Sequence, residues 1–455
     1  MSRPKRRFAL STTHIIMLSF LVTVLIGSVL LVLPVSSADG SSVPYVDALF
    51  TATTATCVTG LVTLPTATTW STFGHVVILL LIQIGGLGVI TVIAGFALAV
   101  NRRMGISNRL LLQDAFNLNS LEGLASFLKK VIIGTFLAEG AGALLYMMVF
   151  VPEFGARGIW ISVFNAVSCF CNAGIDIIGL TSLEAYATHP LINAVTCVLI
   201  ILGGLGYIVW WDLARVARLC IRTRKLRSLR DLSLHSKMAL TSTAVLIFGG
   251  GLLIYLFERN NPLTIGNLSL FDQIQVSLFQ SVTTRTAGFA SIPQQNLTSG
   301  SVLTSLVLMF IGGSPVGTAG GVKTVTVLTL LASAACTIRG RHEVTVFHRS
   351  LHPDLRRKAV AVVVTSLLIV LLSTLLLTAV EDAPLDRLLY ETVSATATVG
   401  LTRDLTPHLS TAGRLIITVT MYLGRVGPIS LAFAFQVKKE TPNIIKHPTE
   451  PVSIG

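Results

Sequence analysis

Eight apolar stretches recur along the chain, at about 15–33, 76–100, 131–151, 191–213, 239–257, 302–335, 359–380 and 415–435. Each approaches or exceeds the roughly 20 residues that a helix needs to cross a bilayer. No other feature constrains the fold as much. Backbone inside hydrocarbon must satisfy its own polar groups, which leaves helices or a closed barrel, and runs of this length predict helices. Composition agrees, since only 12% of the 455 residues are charged, against roughly 25% in soluble proteins. With a mean hydropathy of +0.76, the chain cannot cover a water-exposed surface.

The net charge of +13 raises the possibility of nucleic acid, but the placement of the charges argues against it. Basic residues cluster between the apolar runs, as in RPKRR at 3–7 and RTRKLRSLR at 222–230. The N-terminus, 101–130, 212–238, 336–358 and 436–455 hold 26 of the 34 Lys and Arg residues. The alternate connections hold six, and Lys323 and Arg425 fall within apolar runs. This asymmetry predicts a multi-pass protein of the cell membrane with both termini cytoplasmic. The first apolar run lacks an A-x-A cleavage site and reads as a retained span. The six cysteines form no CxxC pair, and Cys169 and Cys171 have no His or acidic partners nearby, which argues against zinc or a disulfide framework. With no nucleophile–base pair or metal cluster, the chain does not read as an enzyme.

The four outward connections each carry an apolar segment too short to span: DALFTATTATCVTGL (47–61), ISVFNAVSCFCNAGI (161–175), DQIQVSLFQSVTTRTAGF (272–289) and DRLLYETVSATATVGL (386–401). Their glycines, Gly60, Gly174, Gly288 and Gly400, are separated by 114, 114 and 112 residues. A second motif follows each, as IGG at 84–86, LGG at 202–204, IGG at 311–313 and LGR at 423–425. Two motifs in register predict four parallel repeats of span, re-entrant pore loop and span around a pseudo-fourfold axis. The fold class is therefore an all-α membrane protein of eight transmembrane helices and four re-entrant pore helices. Repeat 1 occupies 1–110, repeat 2 111–230, repeat 3 231–350 and repeat 4 351–437, with a polar tail at 438–455.

Irregular backbone at membrane depth survives only where protein buries it or where it lines a water-filled path. Glycine lets successive carbonyls turn toward one centre, and rings of carbonyls replace the hydration shell of a cation. The short helix before each loop aims its partly negative C-terminal end at that ion. Asp47, Asp272 and Asp386 open three of these helices, where a negative side chain is favourable. One such glycine alone reads as a helix-packing contact or cap. Four in register read as an ion filter. Its candidate residues are Thr56, Cys57, Val58, Thr59 and Gly60; Phe170, Cys171, Asn172, Ala173 and Gly174; Thr284, Arg285, Thr286, Ala287 and Gly288; and Thr396, Ala397, Thr398, Val399 and Gly400.

The segments LFTATTATCVTGL, FNAVSCFCNAGID, LFQSVTTRTAGF and SATATVGL, with FIGGSPVGTAGGVKT and LGRVGP, resemble the Trk/Ktr/HKT superfamily of cation transporters. The resemblance runs from about 12 to 437 and is strongest to the Ktr membrane (pore-forming) subunit. It implies potassium uptake by a homodimer with one pore per chain, gated by a cytosolic nucleotide-binding ring of the RCK/KTN (KtrA-like) type. K+ would be the transported ion, Na+ a possible activator, and no organic cofactor is implied. Glycine at all four filter positions points to potassium over sodium. The second loop departs from the family, with Cys171 where relatives carry Asn; that thiol matters if its side chain contacts a neighbouring pore helix.

The apolar run 302–335 is interrupted by GGSPVGTAGG at 312–321, small residues and a proline that break a helix. By resemblance this is an intramembrane gating loop, and Gly312, Gly313, Ser314, Pro315, Val316 and Gly317 are the gate candidates. Gly317–Thr324 spells GTAGGVKT, but Val322 separates Gly from Lys and the segment lies in a span, so it is not a phosphate loop. Arg425 holds the slot that Gly86, Gly204 and Gly313 hold elsewhere. An intramembrane arginine faces the bundle interior. Two readings stand: Arg425 lies opposite 312–317, repelling a waiting cation or anchoring the loop, or it forms a structural ion pair with Glu139. Arg285 is expected to point sideways and hold the filter backbone by hydrogen bonds. The basic loops at 101–130 and 222–230 are orientation signals first, with docking of an acidic cytosolic partner as a second reading. The competing function is an alternating-access cation symporter, which needs a closed site between repeats of opposite or two-part symmetry, or a less selective Na+/K+ transporter.

Overall fold

In the computed structural model, residues 12–89, 91, 92, 94, 124–224, 230–341 and 343–427 are described. The N-terminal 1–11, all of 95–123, 225–229 and the 428–455 stretch lie outside them, and with them the expected tail and much of the basic loops at 101–130 and 222–230. Among the described residues, four helices are long and apolar enough to cross a membrane: α1 (Thr12–Val32), α4 (Leu124–Phe154), α8 (Leu234–Glu258) and α12 (Pro353–Thr378). They match the first expected span of each repeat. Each keeps large apolar side chains on its outer face, such as Ile26, Leu137, Val245 and Leu375. In water such a face would be unfavourable; against lipid tails it is not.

Behind these lie four shorter helices: α2 (Tyr45–Cys57), α5 (Ala156–Cys171), α9 (Leu270–Thr283) and α13 (Leu385–Ala397). At 1.5 Å per residue, 13 residues span only about 20 Å, too little to cross. They coincide with the four short segments expected from the sequence. Their polar composition is tolerated because the second half of each is buried by protein: in α2, every residue from Phe50 to Cys57 is buried. One hydroxyl in α2 closes on the helix's own backbone, Thr53 donating to the Leu49 carbonyl at 2.7 Å. Asp47, Asp272 and Asp386 fall in the first turns of α2, α9 and α13.

Three of the four second apolar runs are not the continuous helices expected. In the first, second and fourth repeats, α3 (Thr72–Leu87), α6 (Pro190–Leu205) and α14 (Thr411–Val426) each stop at a glycine. These glycines, Gly88, Gly206 and Gly427, share φ values of 85°, 86° and 89°. Only glycine adopts that conformation without strain. After Gly206 the chain continues as α7 (Tyr207–Thr223), bent by 99° from α6. The expected spans 76–100, 191–213 and 415–435 therefore break at 88, 206 and 427. In the third repeat α10 (Ser299–Phe310) and α11 (Thr324–Ile338) flank an irregular segment, as the sequence led us to expect. That segment closes on itself: Gly312 N–H donates to the Val322 carbonyl at 3.0 Å and Val322 N–H to Phe310 at 3.1 Å.

Candidate functional site

Three of the short helices end identically. In α2, α5 and α13 the residue two before Gly60, Gly174 or Gly400 is left-handed: Val58 (φ 56°), Asn172 (59°) and Thr398 (51°). The next residue's N–H reaches back to the helix, Thr59 to Thr54, Ala173 to Ser168 and Val399 to Ser394, each at 2.8 Å. This is a Schellman end, which turns the chain sharply while satisfying the last carbonyls. The third segment also has its left-handed residue two before the glycine, Thr286 (φ 66°), but its helix ends earlier, at Thr283, and Ala287 donates to Thr283, four residues back rather than five, at 2.9 Å.

A hydroxyl from the same helix then holds each glycine segment. Gly60 N–H donates to Thr54 Oγ1 at 2.9 Å and Gly400 N–H to Ser394 Oγ at 3.0 Å. Ser168 Oγ bridges to the backbone of Ile175, and Thr283 Oγ1 donates to the Phe289 carbonyl at 2.7 Å. The sequence reading passed over Thr54, Ser168, Thr283 and Ser394. A Ser or Thr six residues before the glycine, five in the third repeat, was the available signal.

The four glycines meet. All have positive φ, at 98°, 65°, 81° and 100° in chain order. A Cβ on Gly60 would lie 2.6 Å from the Ala173 carbonyl oxygen, 3.1 Å from Gly174 Cα and 3.2 Å from Gly400 Cα. A Cβ on Gly174 would lie 2.6 Å from the Ala287 oxygen. On Gly288 it would meet the Val399 oxygen, and on Gly400 the Thr59 oxygen. The contacts run from first segment to second, third, fourth and back to the first. A closed cycle of four places one centre between four backbone strands from four parts of the chain, with no room for a side chain at any glycine.

The second glycine motif has a packing role. A Cβ on Gly85 would lie 2.7 Å from the Thr56 carbonyl carbon, one on Gly203 would meet the Phe170 oxygen, and one on Gly424 would lie 2.9 Å from the Thr396 carbon. Each glycine admits a neighbouring carbonyl from the end of its own repeat's short helix. In the third repeat, Gly312 packs instead against Gly320 and Gly321 of the loop.

The 311–323 loop sits against these segments. Thr318 Oγ1 contacts the Phe170 carbonyl at 3.0 Å and Asn172 Oδ1 at 2.9 Å. Ser314 and Thr318 N–H groups donate to Gly204 and Gly203 at 2.8 and 3.1 Å, and Tyr207 N–H donates to Val316 at 3.0 Å. A Cβ on Gly320 would lie 2.7 Å from the Ala397 oxygen. Lys323 Nζ folds back to the Ala319 carbonyl at 2.6 Å.

Arg425 joins this hub. Its Nη1 donates to the Thr318 carbonyl at 2.6 Å and its Nη2 to the Gly85 carbonyl at 2.5 Å, tying the third-repeat loop to the first repeat. The expected alternative of an ion pair with Glu139 is not what forms. Glu139 accepts from Gln83 Nε2 at 3.3 Å and lies 3.8 Å from Cys171 Sγ. The Cys171 thiol thus faces α3 and α4 rather than a neighbouring short helix. Cys57 is buried among Phe50, Leu61 and Met421. Arg285 does point sideways, yet it does not hold the filter backbone; its Nη2 reaches Thr243 on α8 at 3.4 Å. That expectation is corrected: Thr283 secures the third segment instead.

Among the described residues no cluster of three His, Cys, Asp or Glu side chains has metal-binding geometry. What the geometry offers is a convergence of backbone carbonyls held by hydroxyls, an arrangement suited to ions rather than to bond-making chemistry. Comparison with known proteins agrees. The TrkH family, described as "Cation transport protein", matches residues 3–447. The chain belongs to that family and is a multi-pass membrane transport protein, not an enzyme. It is 39% identical to Ktr system potassium uptake protein B of Bacillus subtilis over 97% of this chain and 96% of that protein. It is 37% identical to potassium/sodium uptake protein NtpJ of Enterococcus hirae over 99% and 98%. The crystal structure of the potassium transporter TrkH from Vibrio parahaemolyticus superposes with a TM-score of 0.75 at 16% identity, covering 95% of this chain and 86% of that one. At that identity the likeness speaks for the fold.

Proposed function

We propose that the chain takes up K+ across the cell membrane through a selectivity filter made by residues 56–60, 170–174, 284–288 and 396–400, in a pore of four parallel repeats with eight membrane crossings. The observation that carries this reading is the closed cycle of the four glycines, each against the carbonyl that precedes the next one. Potassium as cargo is supported by the names of the relatives at 39% and 37% identity. The gate in this reading is the loop containing Gly312–Gly317, held shut by Arg425, since the loop touches the second and fourth filter segments and Arg425 binds it. We assign both termini to the cytoplasm from the charge asymmetry, and a homodimer with a cytosolic nucleotide-binding ring as regulator from the resemblance to Ktr systems. Sodium enters as a second ion, as activator or co-substrate, because one relative bears the name potassium/sodium uptake protein.

The test is flux of K+, Rb+ and Na+ in proteoliposomes, comparing the wild type with Gly60→Ser. At φ 98° and 2.6 Å from the Ala173 oxygen, a Cβ displaces the ring, so Rb+ flux should fall relative to Na+. An unchanged ion preference in a normally folded variant would remove residues 56–60 from the filter.

A further inference from the structure

Helix α7 has no part in the filter, yet the gating loop is attached to its first residue. A helix bent 99° from α6 cannot follow it across a bilayer and runs close to the membrane plane if α6 crosses. Three faces divide its surface. Val209 and Val216, seven residues apart, are buried against the protein. Leu213, Ala217 and Ile221 recur every four residues on a second face, where Ile221 is 78% exposed. Arg215, Arg218 and Arg222 follow at helical spacing on a third, all exposed, with Arg224 exposed at the end. Across from it, exposed Lys130 of α4 lies 5.7 Å from the Trp211 ring. An apolar stripe beside a basic one fits a helix lying in the headgroup layer, where the first meets acyl chains and the second meets phosphates. A cytosolic protein partner accounts for the basic stripe alone. A membrane accounts for both.

We propose that α7 is an in-plane anchor whose Arg218, Arg222 and Arg224 bind the phosphates of anionic phospholipids, and that this contact biases the gating loop. The mechanical link is short. Tyr207, the first residue of α7, donates its N–H to the Val316 carbonyl at 3.0 Å, and the hinge glycine before it packs on the Pro315 carbonyl. Arg215 is excluded from the lipid contact because it is committed to Asp212 at 2.6 Å and to the Asp231 carbonyl at 2.9 Å. The placement of this surface at the inner leaflet, and the effect on gating, rest on the topology and gate proposed above; lipid binding itself does not.

The experiment uses the full chain with two readouts. Native mass spectrometry counts phosphatidylglycerol and phosphatidylcholine retained per chain, and Rb+ flux is measured in vesicles of phosphatidylcholine alone and of an equimolar mixture with phosphatidylglycerol. The wild type should retain phosphatidylglycerol preferentially, and Arg218→Gln/Arg222→Gln/Arg224→Gln should lower that retention about tenfold or more. The corresponding triple Lys variant keeps the charges and should restore it, which separates charge loss from misfolding. Wild-type flux should differ between the two vesicle types, and flux of the Gln variant should not. Equal phosphatidylglycerol retention by wild type and Gln variant overturns the anchor. Wild-type flux indifferent to lipid overturns the link to the gate. Absence of Rb+ flux in every vesicle refutes the proposed function and leaves the retention result standing.

Discussion

Replacing Arg425 with alanine tests the gate most directly. The guanidinium makes two short bonds, to Thr318 on the loop and Gly85 on α3, and both acceptors are backbone carbonyls. A hydrogen bond to a charged group contributes about 1.5–3 kcal/mol net. The lower figure applies because burying the cation carries its own desolvation cost. Two bonds then amount to about 3 kcal/mol, or roughly a hundredfold in the equilibrium between held and released loop at about 1.4 kcal/mol per tenfold. Arg425→Ala should therefore raise Rb+ flux per reconstituted chain by about one to two orders of magnitude. Arg425→Lys separates the two ways in which the side chain can act. Lysine keeps the charge but not the two-pronged donor geometry, so an anchoring role gives an intermediate rise and a purely repulsive role gives wild-type flux. Wild-type flux from the alanine variant, at normal yield and with the fold intact, would refute the reasoning.

The hydroxyl clamps and the outer end of the first short helix offer further tests. Thr54→Val removes the acceptor for the Gly60 N–H and leaves a buried donor unpaired, at a cost of about 1–3 kcal/mol. Thermal unfolding should begin earlier and the Rb+ over Na+ flux ratio should fall, whereas Thr54→Ser should preserve both. Asp47, nearly buried, pairs with Arg414 at 2.6 Å and accepts from Thr63 at 2.8 Å, linking the start of α2 to its post-filter segment and to α14. Asp47→Asn should destabilise by about 3 kcal/mol. The double variant with Arg414→Gln should lose less than the sum of the single changes in a thermal denaturation cycle.

Periodicity and glycine spacing were enough to locate α1, α4, α8, α12 and the four short helices. Each reports a local requirement: a membrane-length apolar run, or a buried helix that must end in a turn. The second apolar runs that break at 88, 206 and 427 were misread for a related reason. Gly88, Gly206 and Gly427 are single glycines in apolar surroundings, and hydropathy does not register a backbone angle. The GGLG and GRVG strings repeated across those units were the cue. The clamp hydroxyls were equally present in the sequence, but Ser and Thr abound in these helices and only geometry selects the one six residues before the glycine.

By itself, the sequence determined that the chain enters a membrane and that four short helices each end in a turn at a glycine, because these follow from transfer energy and local conformation. Tertiary structure decided what lies farther apart along the chain. It closed Gly60, Gly174, Gly288 and Gly400 into one cycle, and it gave Arg425 the Thr318 and Gly85 carbonyls in place of Glu139. It turned Arg285 toward Thr243. Such pairings join residues tens to hundreds of positions apart, and an arginine binds any well-placed acceptor equally well. Which acceptor it meets is fixed only when the four repeats pack together.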